Sequence, residues 1–162
     1  MPKNNALIAR GYMIKLLSTV SLLVSMSLSP GAAALAQTSP TIVTSTTVEW
    51  TAGTGPFAGT QVAVLEGDPS KPGPYTVRVK IPDGGKFRPH SHADIEHVTV
   101  IAGTLLVGLG DTMDVSHMKA LDAGSYVVIP SRLHHFAMAK AETIIQIHGM
   151  GPSTFDMLAR AR

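Results

Sequence analysis

The sequence contains no cysteine, and only 5% of its 162 residues are aromatic. Without cysteine, no disulfide can stabilise the fold and no thiol can serve as a nucleophile. The sequence also lacks a GxSxG motif around a serine and a glycine-rich loop of the kind that cradles a phosphate. Covalent catalysis by serine or cysteine and phosphoryl transfer are therefore disfavoured.

The formal charge of +2 and the pI near 9.0 come from the start of the chain. Lys3, Arg10 and Lys15 lie in the first 36 residues, which contain no acidic residue. The rest of the chain contains 10 basic and 11 acidic side chains, a net charge of −1. This distribution predicts neither a nucleic-acid-binding face nor a polyanion-binding patch.

The first 36 residues have the three parts of a secretory signal peptide. Basic residues are followed by the apolar run Leu16–Leu28 and then by the small-residue sequence ALA at 34–36. We predict cleavage after this sequence, which places the mature protein in the periplasm or outside the cell, with no membrane contact afterwards. The alternative is an uncleaved membrane anchor, which the short apolar run with its serines disfavours.

The length of 162 residues suits one domain with one hydrophobic core. Short β-rich runs separated by turn signals dominate it, such as YTVRVKI at 75–81, in which apolar and polar residues alternate. We therefore predict an all-β fold, an antiparallel barrel or jelly roll over residues 61–152. A polar N-terminal tail and loop (37–60) precede it, and a tail or short helix (153–162) follows it.

A carboxylate and several histidines have spacings that suit one metal ion. His90 and His92 are two residues apart, so an extended backbone directs both imidazoles to the same side. Glu96 can join them only if the chain reverses between His92 and Glu96. A further imidazole is expected from His134 or His135, which open a later strand. Three imidazoles and one carboxylate would leave a divalent ion with open positions for a ligand.

These residues resemble the two motifs of the cupins, a superfamily of small β-barrels. The first motif, G-x5-H-x-H-x3/4-E-x6-G, is matched in full by residues 84–103. The second, G-x5-P-x-G-x2-H-x3-N, is matched at Gly124, Pro130 and His135, whereas Arg132 replaces its glycine and Ala139 its asparagine. More loosely, GDPSKPGP at 67–74 and QIHGMGP at 146–152 resemble segments of exported bacterial single-domain cupins, and the resemblance covers residues 61–152.

The resemblance implies a cupin barrel that holds one divalent metal ion (Mn, Fe, Ni or Zn) through His90, His92, Glu96 and His135. It also implies a small-molecule ligand or substrate and, if the protein is an enzyme, an oxidoreductase of the dioxygenase type with Glu96 as the catalytic base. The alternative is a non-catalytic module that binds or senses a metal or a small ligand. A homodimer is a further expectation from the superfamily. Because this fold hosts many chemistries, the resemblance does not fix a reaction.

Three more residues are candidates for contact with a bound molecule. If the last strands form a hairpin with its turn at residues 141–142, His135 lies opposite His148, and Gln146 shares their face. That pairing would direct the His148 side chain at the metal. A register shift of one residue would turn His148 to the opposite face, where it would have only a structural role. Arg88 precedes the first metal-ligand histidine and would reach an anionic substrate at the barrel mouth. Its alternative role is that of an ordinary surface arginine.

Overall fold

The computed structural model describes residues 39–158, and its nine strands lie in the compact unit Thr41–Arg162. The predicted signal peptide and residues 159–162 lie outside the described part. The prediction of an all-β antiparallel barrel is confirmed. Among residues 39–158, no helix is long and apolar enough to cross a membrane.

The described chain consists of strands joined by short connections, with two single-turn 3₁₀ helices at Gly55–Phe57 and Val115–His117. The strands are β1 (Thr51–Ala52), β2 (Gln61–Glu66), β3 (Gly73–Ile81), β4 (Lys86–Ser91), β5 (Glu96–Leu109), β6 (Lys119–Asp122), β7 (Tyr126–Ile129), β8 (His135–Gly151) and β9 (Asp156–Met157). Every pairing between them is antiparallel.

β8 is the central strand of the sheet. One edge of β8 pairs with β5, and the other edge pairs with β3 and β4. β2 and then β1 extend the sheet beyond β3, while β9 pairs with β4, and both β6 and β7 pair with β5. This arrangement brings the end of β4 and the start of β8 side by side.

The core forms from the alternation of apolar and polar residues along the strands. Val77 and Val79 of β3 are buried, as are Val98 and Val100 of β5. Burying one such side chain fully contributes on the order of 1.5–3 kcal/mol, which holds each strand in its register. Since Glu96 has the same parity as Val98, the same register turns its carboxylate towards the interior.

The predicted hairpin turn at Ala141 is wrong, because β8 is one continuous strand. Ala141 adopts the left-handed conformation (φ 67°), which bends the strand without reversing it. Both sides of the bend stay paired with β5, with register shifts at the bend. His135 therefore lies opposite His90, and His148 lies opposite His97, so His135 and His148 are far apart along one strand.

The C-terminal segment, predicted as a tail or short helix over 153–162, forms part of the sheet in its described portion. Residues 153–158 contain β9, which pairs with the end of β4. Ser153 N–H donates to the Pro69 carbonyl (2.7 Å), which holds the segment across the loop between β2 and β3. The remaining four residues of that prediction lie outside the described part of the chain.

Candidate metal centre

Three strand ends bring the predicted metal ligands together. His90 lies near the end of β4 and His92 just beyond it, Glu96 begins β5, and His135 begins β8. The chain bends between His92 and Glu96, at residues 93–94, and this brings His92 Nε2 and Glu96 Oε2 close together. The rings of His90, His92 and His135 are 3–5% exposed, so these histidines belong to the interior.

The geometry of the three imidazoles is that of a metal-binding cluster. One nitrogen atom from each of His90, His92 and His135, which we call the inner triad, lies within 4.8 Å of the others. The ring centroids of its members are 4.2 to 5.2 Å apart. Glu96 Oε2 lies 3.5 Å from His92 Nε2 and 3.8 Å from His135 Nε2. These four residues offer three nitrogen donors and one oxygen donor, a set that suits a divalent transition-metal ion.

Backbone carbonyls orient all three rings. His90 Nδ1–H donates to the Arg88 carbonyl (2.6 Å), and His135 Nδ1–H donates to the Leu133 carbonyl (3.0 Å). His92 Nδ1–H donates to the Thr154 carbonyl (2.6 Å). This fixes the tautomer in which each Nε2 carries a free lone pair, as is usual for metal-binding histidines.

Two further observations indicate that the inner triad suits a cation. His92 Nε2 is buried and makes no hydrogen bond, and a buried polar atom without a partner is costly. Burial also lowers the pKa of His90 to about 3 and lowers that of His135, so both rings are neutral at pH 7. Neutral imidazole is the form that binds a metal.

Burial has the opposite effect on Glu96, whose pKa it raises, while the charge of His92 works against that rise. A cation beside the carboxylate favours its ionised form, because an opposite charge a few ångströms away stabilises the anion. The protonation state of Glu96 therefore depends on whether a cation lies beside it.

A cleft of about 420 Å³ reaches His92 and Glu96. Its walls come from β1 and the turn after it, the loop between β2 and β3, and the C-terminal segment. Tyr75 and Ser153 contribute hydroxyl groups to it, joined by a hydrogen bond of 3.2 Å. None of the described residues that line this cleft is a lysine or an arginine. Its volume suits a small organic ligand.

A smaller, mostly apolar cavity of about 40 Å³ adjoins the cleft and shares Glu96 and Phe155 with it. His90, Glu96 and His135 face it together with apolar side chains such as Val98 and Ile147. A cavity of this size has room for roughly two or three water molecules. Another cleft of about 400 Å³ lies beside Lys86, Arg88 and Phe155, but the cleft of about 420 Å³ is the one that reaches His92 and Glu96.

Sequence reasoning missed the role of the C-terminal segment. The Phe155 ring stacks on His90, with centroids 3.9 Å apart and an interplanar angle of 9°, and it packs against Phe57 and Phe87. Thr154 supplies the carbonyl that orients His92. The only signal in the sequence is a phenylalanine shortly after Gly-Pro, which does not reveal a long-range contact.

The remaining histidines lie outside the inner triad. His134 is directed outwards and pairs with Asp111 (2.6 Å), so the structure selects His135 of the two alternatives. His97 lies on the outer face of the sheet, where its Nδ1 contacts the Tyr126 hydroxyl (2.5 Å). His117 is exposed and pairs with Asp114 (2.7 Å).

Two of the three candidates for contact with a bound molecule lie away from the triad. His148 is exposed on the outer face of β8, and Gln146 lies on that same face, where its Oε1 accepts a hydrogen bond from Arg78 (3.0 Å). The side chain of Arg88 is exposed and lines a separate cleft of about 400 Å³ with Lys86 and Phe155, while its carbonyl accepts the hydrogen bond from His90. Side-chain parity excludes His148 and Gln146 from the interior, because their neighbour Ile147 occupies it.

Arg132 preserves the turn that glycine makes in the second cupin motif. Its φ of 61° is the left-handed conformation, which glycine adopts at least cost. Its N–H donates to the His92 carbonyl (2.8 Å). The turn before His135 is therefore linked directly to the histidine pair of the first motif.

The sequence matches the family model described as ChrR Cupin-like domain over residues 38–154, more than half of the chain. No curated protein matches it.

Solved structures share the fold at low sequence identity. An RmlC-like cupin from Shewanella frigidimarina NCIMB 400 matches with a TM-score of 0.54 and 18% identity, covering 69% of this chain and 91% of that one. KdgF from a Halomonas species matches with a TM-score of 0.54 and 21% identity, covering 70% of this chain and 96% of that one. The polyketide cyclase RemF from Streptomyces resistomycificus matches with a TM-score of 0.60 and 15% identity, covering 74% of this chain and 86% of that one. At these identities the likeness establishes the fold and leaves the reaction open.

Proposed function

The chain belongs to the ChrR cupin-like domain family, and from that premise we propose that it binds one divalent metal ion and uses it to bind or transform a small organic molecule. The ligands are His90, His92, Glu96 and His135. The observation that carries this proposal is the set of three imidazoles oriented by backbone carbonyls, with His92 Nε2 buried and without a partner. The ion is Mn, Fe, Ni or Zn, each of which accepts this donor set.

The reaction class that we propose is that of a dioxygenase-type oxidoreductase. When bound, the ion would supply Lewis-acid character and, if redox-active, a place for dioxygen next to the substrate. The protein holds the substrate in the cleft, where Tyr75 donates to Ser153 Oγ and the Ser153 hydroxyl is left to donate to the substrate. Burial and the nearby charges of Asp94 and Glu96 raise the pKa of Tyr75, so its phenol stays protonated and donates.

Glu96 is the residue that we assign as the base. It lines both the cleft and the smaller cavity, so its carboxylate is within reach of a proton on a substrate in the cleft. Because no cationic side chain lines the described cleft, the favoured substrate is a neutral enediol or phenol rather than a multiply charged anion.

Metal analysis of the purified protein beside its His135→Ala variant tests the metal site. We expect about one ion per chain in the wild type, as one set of four ligands implies, and a large loss in the variant. Oxygen uptake with catechol or an enediol as substrate tests the reaction class. Glu96→Gln, which keeps the shape of the side chain, should retain part of the metal and lose the uptake. Protein without an ion after generous supplementation would contradict the proposal.

The alternative function is a non-catalytic sensing module, and the packing of the C-terminal segment supports it. Phe155 and Thr154 contact the triad histidines directly, so cation binding and the position of residues 153–158 are coupled. A module of this kind would show zinc, no oxygen uptake, and a cation-dependent change in proteolysis of the C-terminal segment. Wild type with redox-active metal and oxygen uptake would exclude it.

We also propose that the protein is exported to the periplasm or secreted, on the basis of the leader sequence in residues 1–36. The mass of the protein from its native compartment would show a mature chain that begins at Gln37. A mass that includes the leader would favour the membrane-anchored alternative.

A further inference from the structure

Two histidines on the outer face of the sheet lie directly opposite each other. His97 of β5 and His148 of β8 are register partners, and their ring centroids are 5.4 Å apart with an interplanar angle of 35°. Neither belongs to the inner triad, since parity places both on the side of the sheet that faces away from the core. We call these two residues the outer pair.

The spacing of the outer pair is that of two imidazoles that share an ion. Rings bound at about 2.1 Å from a tetrahedral cation have centroids about 5 Å apart. The inner triad gives a reference in the same molecule, with centroid separations of 4.2 to 5.2 Å. Because the two strands are fixed by the ladder on both sides of the pair, a cation needs little reorganisation of the backbone.

Tyr126 supports one of the two rings. Its hydroxyl lies 2.5 Å from His97 Nδ1, and the two rings stack with centroids 6.1 Å apart and an interplanar angle of 25°. When Nδ1–H donates to the Tyr126 oxygen, His97 Nε2 carries the free lone pair. A hydrogen bond at the remote nitrogen is what orients and tunes metal-binding imidazoles in proteins.

We infer that the outer pair is a second, solvent-accessible site for a divalent transition-metal ion, with His97 and His148 as the protein ligands and water in the other positions. Tyr126 is the residue that positions His97. Imidazole donors with open positions favour Cu²⁺ over Zn²⁺ and Ni²⁺ by the general order of divalent metal affinities. The inference does not depend on the function proposed for the inner triad.

Titration of the untagged full chain with Cu²⁺, followed by calorimetry and by electron paramagnetic resonance, tests the inference. We expect the His97→Ala/His148→Ala double variant to bind one equivalent fewer than the wild type. The wild-type spectrum should show a component with two nitrogen ligands that the double variant lacks. Tyr126→Phe should retain the equivalent but bind it about tenfold more weakly.

Two variants make the test selective. His117→Ala removes another exposed histidine, one that pairs with Asp114 and Ser116, and should leave the Cu²⁺ stoichiometry unchanged. His135→Ala disrupts the inner triad and should leave the component of the outer pair in place, so a failure of the inner site and a failure of the outer site give different results. Equal stoichiometry in the wild type and the double variant, or an equal loss in His117→Ala, would overturn the inference.

Discussion

The inner triad and the outer pair both place histidines on neighbouring strands, but they differ in what surrounds the rings. The triad residues are 3–5% exposed, and each Nδ1 is held by a backbone carbonyl. In the outer pair, His148 is exposed. Within the described part of the chain, the only hydrogen bond from a ring nitrogen of this pair joins His97 Nδ1 to the Tyr126 hydroxyl. A cation that binds only the folded state stabilises it according to the ratio of its concentration to its Kd. Because the inner site offers four oriented protein ligands and the outer pair two, we expect the inner site to have the lower Kd and the stronger coupling to folding.

The largest expected effect is the loss of cation-dependent stability in His92→Ala. An ion at 100 times its Kd stabilises the folded state by about 2.7 kcal/mol, and we expect most of this increment to vanish in His92→Ala. His148→Ala, the matched change in the outer pair, should keep it. Thermal unfolding with Zn²⁺ and with a chelator measures the difference. Equal increments in the two variants would contradict the comparison.

The metal-free protein should lose stability as the pH falls. The pKa of His90 is about 3 in the folded protein, against 6.5 for an ordinary histidine, so between these values the unfolded chain binds more protons than the folded one. Stability is therefore fully present above about pH 6.5 and falls by about 1.4 kcal/mol per pH unit below it for each such histidine.

Denaturant unfolding at pH 7, 6 and 5 in the presence of a chelator measures this slope. His90→Gln should reduce the slope, and His148→Ala should not. A slope that is the same in the wild type and His90→Gln would show that the acid sensitivity arises elsewhere in the chain.

A smaller effect is expected when the aromatic cover of the triad is removed. Phe155→Ala deletes a half-buried ring that stacks on His90 and packs against Phe57, and we expect a cost of about 1–2 kcal/mol. Cation affinity should fall as well, because the same segment holds His92. Urea unfolding measures the first effect and metal titration the second. Met157→Ala, an exposed neighbour, serves as the control and should change neither.

The smallest expected effect is that of Arg132→Gly, which restores the glycine of the second motif. The left-handed φ of 61° is strained for arginine, but glycine loses more backbone entropy on folding. The two effects oppose each other, so we expect a net gain of at most about 1 kcal/mol, with metal content unchanged. Urea unfolding measures the gain. A clear loss of stability would show that the arginine side chain itself supports the turn.

Much of the fold and of the triad follows from local patterns. Alternation along YTVRVKI predicts the buried face of β3, and the spacing of His90, His92 and Glu96 predicts a change of chain direction that brings them together. Adjacent strand residues face opposite sides, so only one of His134 and His135 can face the interior. The residues alone do not show which one, and the cupin motif favours His135. The prediction of a hairpin at Ala141 was wrong because a short polar stretch has the same sequence pattern in a hairpin turn as in a bend of one long strand.

The sequence by itself determined the interior face of strands such as β3 and the candidate residues for binding a cation, since both depend on parity and on spacings of a few residues. Only the tertiary structure decided that β8 runs unbroken along β5, that Thr154 and Phe155 complete the triad, and that His148 meets His97 rather than His135. Those contacts join residues tens of positions apart. Their selection depends on which strands the whole core can pack together, and no local pattern contains that information.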